Sequence, residues 1–126
     1  MPFEHIIDHG DHLVVVKGTG EGSIDETAHS VQCLLEDKSI GTDYTFMFIV
    51  DDIALQPTPE QVWIIASFFD RMLSRFSGHM AIVTSKLGLV TAAHLIAIAA
   101  DKMGGRIRVF TSEHQARQWL LGTTLK

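Results

Sequence analysis

The sequence predicts a single α/β domain with a mixed, mostly parallel sheet and the order β-β-α-β-α-β-α-β-α. Three observations lead to this fold class. Residues 44–50 form an almost unbroken apolar run, which is typical of a strand buried on both faces of a parallel sheet. Helix-capping signals alternate with short β-branched runs along the chain. The 126 residues, 46% hydrophobic and 20% charged, suit one globular domain with its own core.

The first two strands are predicted to form a hairpin. Residues 3–7 and 13–16 are rich in apolar side chains, and the residues between them include Asp-His-Gly-Asp at 8–11, which favours a turn. The glycines within 18–22 are expected to interrupt regular structure before the first helix.

Helix starts are marked by pairs with the spacing of a capping box, in which two side chains satisfy free backbone N–H groups at the first turn. These pairs are Ser23 with Glu26, Thr58 with Gln61, and Ser112 with Gln115. Residues 84–85 are expected to cap an Ala-rich helix over 86–103, which the glycine pair 104–105 ends. Strands at 80–83 and 106–110 complete the order, in a domain spanning 1–122 with a short tail at 123–126.

Composition excludes several classes of function. The formal net charge of −5 argues against a nucleic-acid partner, which needs a basic face. The single cysteine, Cys33, excludes an internal disulfide and favours a reducing compartment. The first residues lack a basic segment followed by an apolar run, so no signal peptide is expected, and the longest apolar stretch, 87–100, is too short to span a bilayer. A cytoplasmic protein without a membrane span is therefore expected.

The order of elements resembles that of the STAS family, whose type is the SpoIIAA-like domain. The segment 106–120, with Phe110 ending its strand and Ala116, Trp119 and Leu120 in the helix that follows, is similar to the closing strand and helix of stand-alone SpoIIAA-like (STAS/SEC14-type) bacterial proteins. The order covers the whole chain, and the motif covers its last quarter. The resemblance implies a small cytosolic α/β domain, often self-associating, with protein-interaction or apolar-ligand roles and usually no demonstrated chemistry.

The sequence departs from the signalling members of that family after the buried strand. Those members present a phosphorylatable serine at the start of the next helix. Residues 51–58 contain no serine here, and their one hydroxyl, on Thr58, is expected to cap the helix. The phospho-switch of the signalling members is therefore not predicted from this segment.

Polar side chains at strand ends offer a second, less favoured type of site. Asp51 and Asp52 follow the apolar run, and Ser85 follows the strand at 80–83. Adjacent residues point to opposite faces of a strand, so the favoured interpretation is a loop start whose carboxylates accept backbone N–H groups. The alternative is a metal site, a phosphoacceptor site or an enzyme that uses Asp51 and Asp52.

Neither a catalytic constellation nor a metal site is predicted. His5, His9 and His12 cluster around the first turn, but no cysteine or glutamate stands at a convincing ligand spacing. An exposed polar hairpin explains these histidines better, so no metal and no cofactor are expected.

The most informative oddity is apolar surface on the outward sides of two helices. The inward positions are Val62, Ile65, Phe69 and Leu73 on the second helix, and Leu89, Ala93, Ile96 and Ala100 on the third. The residues left outside or at the boundary are Trp63, Ile64, Phe68, Arg71, Leu95 and Ile98. Such a surface is either mutual helix cover, a homodimer interface or a groove for an apolar ligand.

Two main hypotheses of function follow. The first is a non-enzymatic regulatory or protein-interaction module that self-associates as a homodimer or binds a protein partner. The second is a carrier or sensor of an apolar small molecule or lipid, bound between the second and third helices.

Overall fold

The computed structural model describes residues 3–21, 24–54, 58–101 and 104–124. Five strands and four helices follow one another in the predicted order. They are β1 (Phe3–Asp8), β2 (Leu13–Glu21), α1 (Ile24–Glu36), β3 (Thr45–Ala54), α2 (Pro59–Arg75), β4 (Met80–Val83), α3 (Leu87–Ala100), β5 (Ile107–Phe110) and α4 (Glu113–Thr124).

The strands form one sheet in the order β1-β2-β3-β4-β5. β1 pairs with β2 antiparallel, and the other three pairings are parallel. The predicted mixed, mostly parallel sheet is therefore confirmed. In the part of the chain that the structure describes, no helix combines the length and the apolar character that crossing a membrane requires.

The core lies on both faces of β3. Phe46 and Phe48 belong to the larger cluster, beneath α1, α2 and α3. Met47 belongs to the smaller cluster with Ala116 and Leu120 of α4. Because successive side chains of a strand point to opposite faces, the apolar run can fill both clusters. We call the face of the sheet that α1, α2 and α3 cover the three-helix face.

The helix caps are only partly as predicted. Thr58 caps α2 in a complete capping box with Gln61, and proline occupies the first turn. Ser112 Oγ accepts the backbone N–H of Gln115 at 3.3 Å. The prediction for α3 is wrong, because its N-cap is Lys86 and makes no side-chain cap hydrogen bond. Ser23 lies outside the described residues.

Two strands are longer than the sequence suggests. β2 continues through the glycine-rich segment to Glu21, with a register shift between Lys17 and Thr19. Glycine suits such an irregularity because it has no Cβ to pack. β3 continues to Ala54 because its backbone pairs with this extension, and Asp52 lies opposite Thr19. The expected break is therefore wrong for residues 18–21, and Gly22 lies outside the described residues.

Helix ends also differ from the expected ones. α3 ends at Ala100, three residues early, because Asp101 takes the C-cap position. The Asp101 carboxylate accepts the backbone N–H groups of Arg106 and Ile107 at 2.7 and 2.8 Å. These two hydrogen bonds fix the start of β5 against the end of α3. α4 continues to Thr124 and so includes two residues of the expected tail.

Candidate functional site

An apolar groove of about 350 Å³ runs between α2 and α3 on the outside of the molecule. None of the described side chains that line it carries a charge. The lining residues are Pro59, Val62, Trp63, Thr91, Ala92, Leu95, Ile98 and Ala99. We call this feature the α2–α3 groove.

Large side chains on the groove walls are exposed to solvent. Trp63 of α2 is 68% exposed, and Leu95 and Ile98 of α3 are 51% and 72% exposed. On α3 the predicted inward positions, such as Ala93 and Ile96, are all buried, so the outward position of Leu95 and Ile98 is confirmed. Trp63 is more exposed than its expected position at the boundary between the inward and outward faces of α2 implies. Two helices that cover each other therefore do not account for this surface.

A second space, which we call the internal cavity, lies between the three-helix face of the sheet and the helices and is partly open to the surface. It is a cavity of about 100 Å³, and its described lining is apolar apart from Thr27 and Ser30 of α1. α2 contributes Ile65, Phe68 and Phe69, and α3 contributes Leu89, Ala92, Ala93 and Ile96. Ala92 therefore lines both this internal cavity and the α2–α3 groove.

The six apolar-patch candidates do not form one surface. Trp63, Leu95 and Ile98 share the groove, whereas Phe68 is half-buried and lines the internal cavity. Arg71 faces α1, where its Nη2 donates to Gln32 Oε1 at 2.8 Å.

Ile64 is 42% exposed. It lies on the helix face of Phe68 and Arg71, because residues four and seven positions apart are neighbours on a helix. These candidates therefore lie on two sides of α2, one towards α1 and one towards α3, and their role as an interface or a ligand site stays a prediction.

The polar strand-end candidates lie on three different elements. Asp51 and Asp52 belong to β3 itself rather than to a loop, and their side chains lie outside the described part. Thr58 is the N-cap of α2, which confirms its capping role. Ser85 is exposed in the connection between β4 and α3. A polar site formed by Asp51, Asp52 and Ser85 stays a prediction.

Two histidines of the first turn, His9 and His12, contact Tyr44, the residue just before β3. His9 Nδ1 lies 2.6 Å from the Tyr44 hydroxyl. The His12 ring stacks on the Tyr44 ring with centroids 4.7 Å apart, and its Nδ1 lies 2.8 Å from Asp43 Oδ2. Among the residues that the structure describes, no group of three His, Cys, Asp or Glu side chains could hold a metal ion. These contacts tie the hairpin turn to β3.

Sequence reasoning missed part of the groove and the whole internal cavity. The groove walls include Pro59, Thr91 and Ala99, which no outward apolar pattern selects. From α3, the small side chains of Ala92 and Ala93 line the cavity beside the large ones of Leu89 and Ile96. The alanine-rich composition of α3 was the available signal.

Comparison with known proteins identifies the fold. No protein-family model matches the sequence, and no curated protein matches it either. Among solved structures, the chain is similar to an uncharacterized protein of the DUF3478 family with a SpoIIAA-like fold from Shewanella loihica PV-4. The TM-score is 0.60 at 14% sequence identity, over 94% of this chain and 91% of that chain. At this identity the similarity concerns the fold alone, and this chain has a SpoIIAA-like α/β fold, as its order of elements predicted.

Proposed function

We propose that this protein is a non-enzymatic interaction module that acts by self-association, with the α2–α3 groove as the surface that joins two copies. The observation that carries the proposal is the exposure of Trp63 and Ile98 on the walls of a groove with no charged lining. A cytoplasmic location, expected from the single Cys33, is part of the proposal.

The surface is suited to pairing with itself. A two-fold interface uses the same patch on both subunits, so that patch must offer both a projection and a recess. The Trp63 side chain projects beside the recess between the two helices. Tryptophan is enriched among the residues that dominate interface energies, and charged residues are depleted from interface centres. The charged residues behind the net charge of −5 do not line the groove. Repulsion between two copies that meet there is therefore weaker than at a charged surface.

The Trp63 side chain would make one sizeable contribution to such pairing. A tryptophan side chain buries roughly 150–250 Å² when covered. Since Trp63 is 68% exposed, docking would cover roughly 100–170 Å² of it per copy. At about 25 cal/mol per Å², this contributes about 2.5–4 kcal/mol per copy before the costs of association.

Sedimentation velocity over a range of concentrations tests this proposal. We expect a reversible dimer, and Trp63→Ala should weaken it at least tenfold, which corresponds to about 1.4 kcal/mol. Ile6→Ala is the matched control. Ile6 is 65% exposed but lies opposite Val15, which packs on the α4 side of the sheet. A protein that stays monomeric at millimolar concentration, or a dimer equally weakened by both variants, would contradict the proposal.

The internal cavity supports a second candidate function, the carriage or sensing of a small apolar molecule. Its lining is apolar and its volume is about 100 Å³. An engineered apolar cavity of about 150 Å³ in another protein stays dry and binds benzene. A ligand here would lie beneath α2 and α3 rather than in the predicted position between them. Native mass spectrometry of gently purified protein should then show a discrete added mass, and unligated protein that also fails to take up benzene would count against this function.

A further inference from the structure

We propose that the open edge of the sheet at β5 binds an extended acidic segment of another protein, which pairs with β5 as an additional strand. Three features of this edge carry the inference: backbone groups that point outward, an apolar groove beside them, and an exposed positive charge. The inference does not depend on self-association through the α2–α3 groove.

β5 ends the sheet and directs backbone groups away from it. Among the described strands, only β4 pairs with β5. The Thr84 N–H donates to the Phe110 carbonyl oxygen at 2.9 Å, so Phe110 directs its backbone groups towards β4. Because alternate residues of a strand direct these groups to the same side, those of Ile107 and Val109 point away from β4. Asp101 accepts the Ile107 N–H at 2.8 Å, which leaves the Ile107 carbonyl oxygen and both Val109 groups at the open edge.

A groove of about 300 Å³ lies at this edge, between β5 and the second half of α3. We call it the β5-edge groove. Its apolar wall includes Ala97 and Ile98, and the Val109 side chain lies on the same three-helix face of the sheet. Among the described lining residues, the β5-edge groove shares only Ile98 with the α2–α3 groove. Because residues opposite each other on neighbouring strands point to the same face, a residue opposite Val109 would place its side chain in the β5-edge groove.

The accessible charge of the described groove residues is positive, although the whole chain has a formal net charge of −5. Arg108 is exposed, and its Cζ lies 5.4 Å from the ring centroids of Phe110 and Trp119 on the α4 side of the sheet. Among the described residues, no carboxylate forms an ion pair with it. The carboxylate of Asp101 is buried and accepts two backbone N–H groups. An acidic residue opposite Arg108 would therefore form a favourable cross-strand pair.

These features together define the segment that fits. In an antiparallel pair, the residue opposite Val109 can exchange both N–H···O hydrogen bonds with it, which requires an extended backbone. That residue is apolar, because its side chain enters the β5-edge groove. The next residue is acidic, because it lies opposite Arg108. Addition of a strand to an exposed sheet edge is a recurring mode of peptide recognition, and here Arg108 selects against basic segments.

NMR titration of the full chain with the capped peptide acetyl-Thr-Val-Val-Glu-Val-Thr-amide tests the inference. We expect the Val109 amide resonance to shift and its hydrogen exchange to slow as the peptide is added. A peptide with lysine in place of glutamate should bind at least about threefold more weakly, since it places a like charge opposite Arg108. N-methylation of the peptide residue that faces Val109 should also weaken binding at least about threefold, because it removes one hydrogen bond.

Two variants separate the charge at this edge from general electrostatics. Arg108→Gln should abolish the preference for glutamate over lysine. Arg117→Gln is the matched control and should leave the preference unchanged, because Arg117 lies on α4, pairs with Glu113 at 3.5 Å and does not line the groove. Trp63→Ala should also leave peptide binding unchanged, so failure of the proposed dimer and failure of this inference are distinguishable. If Arg108→Gln unfolds the protein, the peptide comparison on the unmodified chain decides alone.

Three results would overturn the inference. The first is the absence of any change at Val109 with millimolar peptide. The second is equal binding of the glutamate and lysine peptides. The third is a Val109 shift that depends on protein concentration without peptide, which would assign the edge to a second copy of this chain.

Discussion

Gly78 lies where two loops approach so closely that a single methyl group cannot be accommodated. A Cβ at this position would stand 2.2 Å from the carbonyl oxygen of Tyr44 and 2.8 Å from its carbonyl carbon. The described glycines with positive φ are Gly104 and Gly105, not Gly78. Alanine at 78 therefore meets a steric obstacle rather than an unfavourable backbone conformation.

Both sides of this contact are held in place. On the Tyr44 side, the backbone N–H of Thr45 donates to His12 at 2.8 Å, and that of Ser77 donates to Thr42 at 2.7 Å. On the Gly78 side, Arg106 Nη2 donates to the carbonyl oxygens of Phe76 and Gly78 at 2.5 and 3.2 Å. Relief of the clash requires a shift of about 1 Å, which would break or lengthen several of these bonds. Overpacking of this kind costs about 1–3 kcal/mol, and the lost hydrogen bonds add about 1 kcal/mol each.

We expect Gly78→Ala to lower the free energy of unfolding by about 3 kcal/mol or more. Urea denaturation followed by far-UV circular dichroism measures this change. Gly122→Ala in α4 is the matched control, because nothing lies within 4 Å of its added Cβ. That variant should stabilise the protein by about 0.5–1 kcal/mol, since alanine favours helix over glycine. A Gly78→Ala protein within about 0.5 kcal/mol of the unmodified chain would refute the steric argument.

Three further predictions concern single polar side chains. Thr58→Ala removes the capping box of α2 and should cost about 1 kcal/mol in urea denaturation, whereas Thr58→Ser should cost less. Asp101→Ala leaves two backbone N–H groups at the start of β5 without their carboxylate acceptor. It should lower the free energy of unfolding by more than about 1 kcal/mol in urea denaturation, and a smaller decrease would contradict the structure. Hydrogen bonds from Ser39 lower the pKa of Asp37, so its contribution to stability is present at neutral pH and is lost as the pH falls through that lowered pKa. Asp37→Asn should therefore destabilise the protein at pH 7 in urea denaturation, and the difference between the two proteins should shrink as the pH falls through the lowered pKa of Asp37.

Sequence patterns predicted elements whose determinants are local. β4 has the predicted bounds, Met80–Val83, because a short apolar run between turn signals needs little context. The Thr58 cap was predictable because its partner is three residues away. The extension of β3 through Asp51 and Asp52 was not, because it depends on backbone pairing with β2. Aspartate has a low intrinsic propensity for strands, and here the backbone pairing with β2 outweighs it.

The sequence predicted which apolar residues belong to the candidate site. It did not predict which of them line the α2–α3 groove and which line the internal cavity. Outward apolar positions identified Trp63, Leu95 and Ile98, and their exposure agrees with that analysis. The same periodicity also selected Phe68, which is instead half-buried at the internal cavity. Which side of α2 faces α1 and which faces α3 depends on the order of strands in the sheet. A single helical pattern does not contain that information.

α3 combines two size patterns along its length. A helix on a sheet ordinarily buries large apolar side chains and exposes polar ones. α3 buries Leu89 and Ile96 in this way, but it also buries Ala92 and Ala93 and exposes Leu95 and Ile98. The small inward side chains line the internal cavity, and the large outward ones form a wall of the groove. Exposed apolar surface contributes nothing to folding stability, so folding alone does not account for the outward position of Leu95 and Ile98.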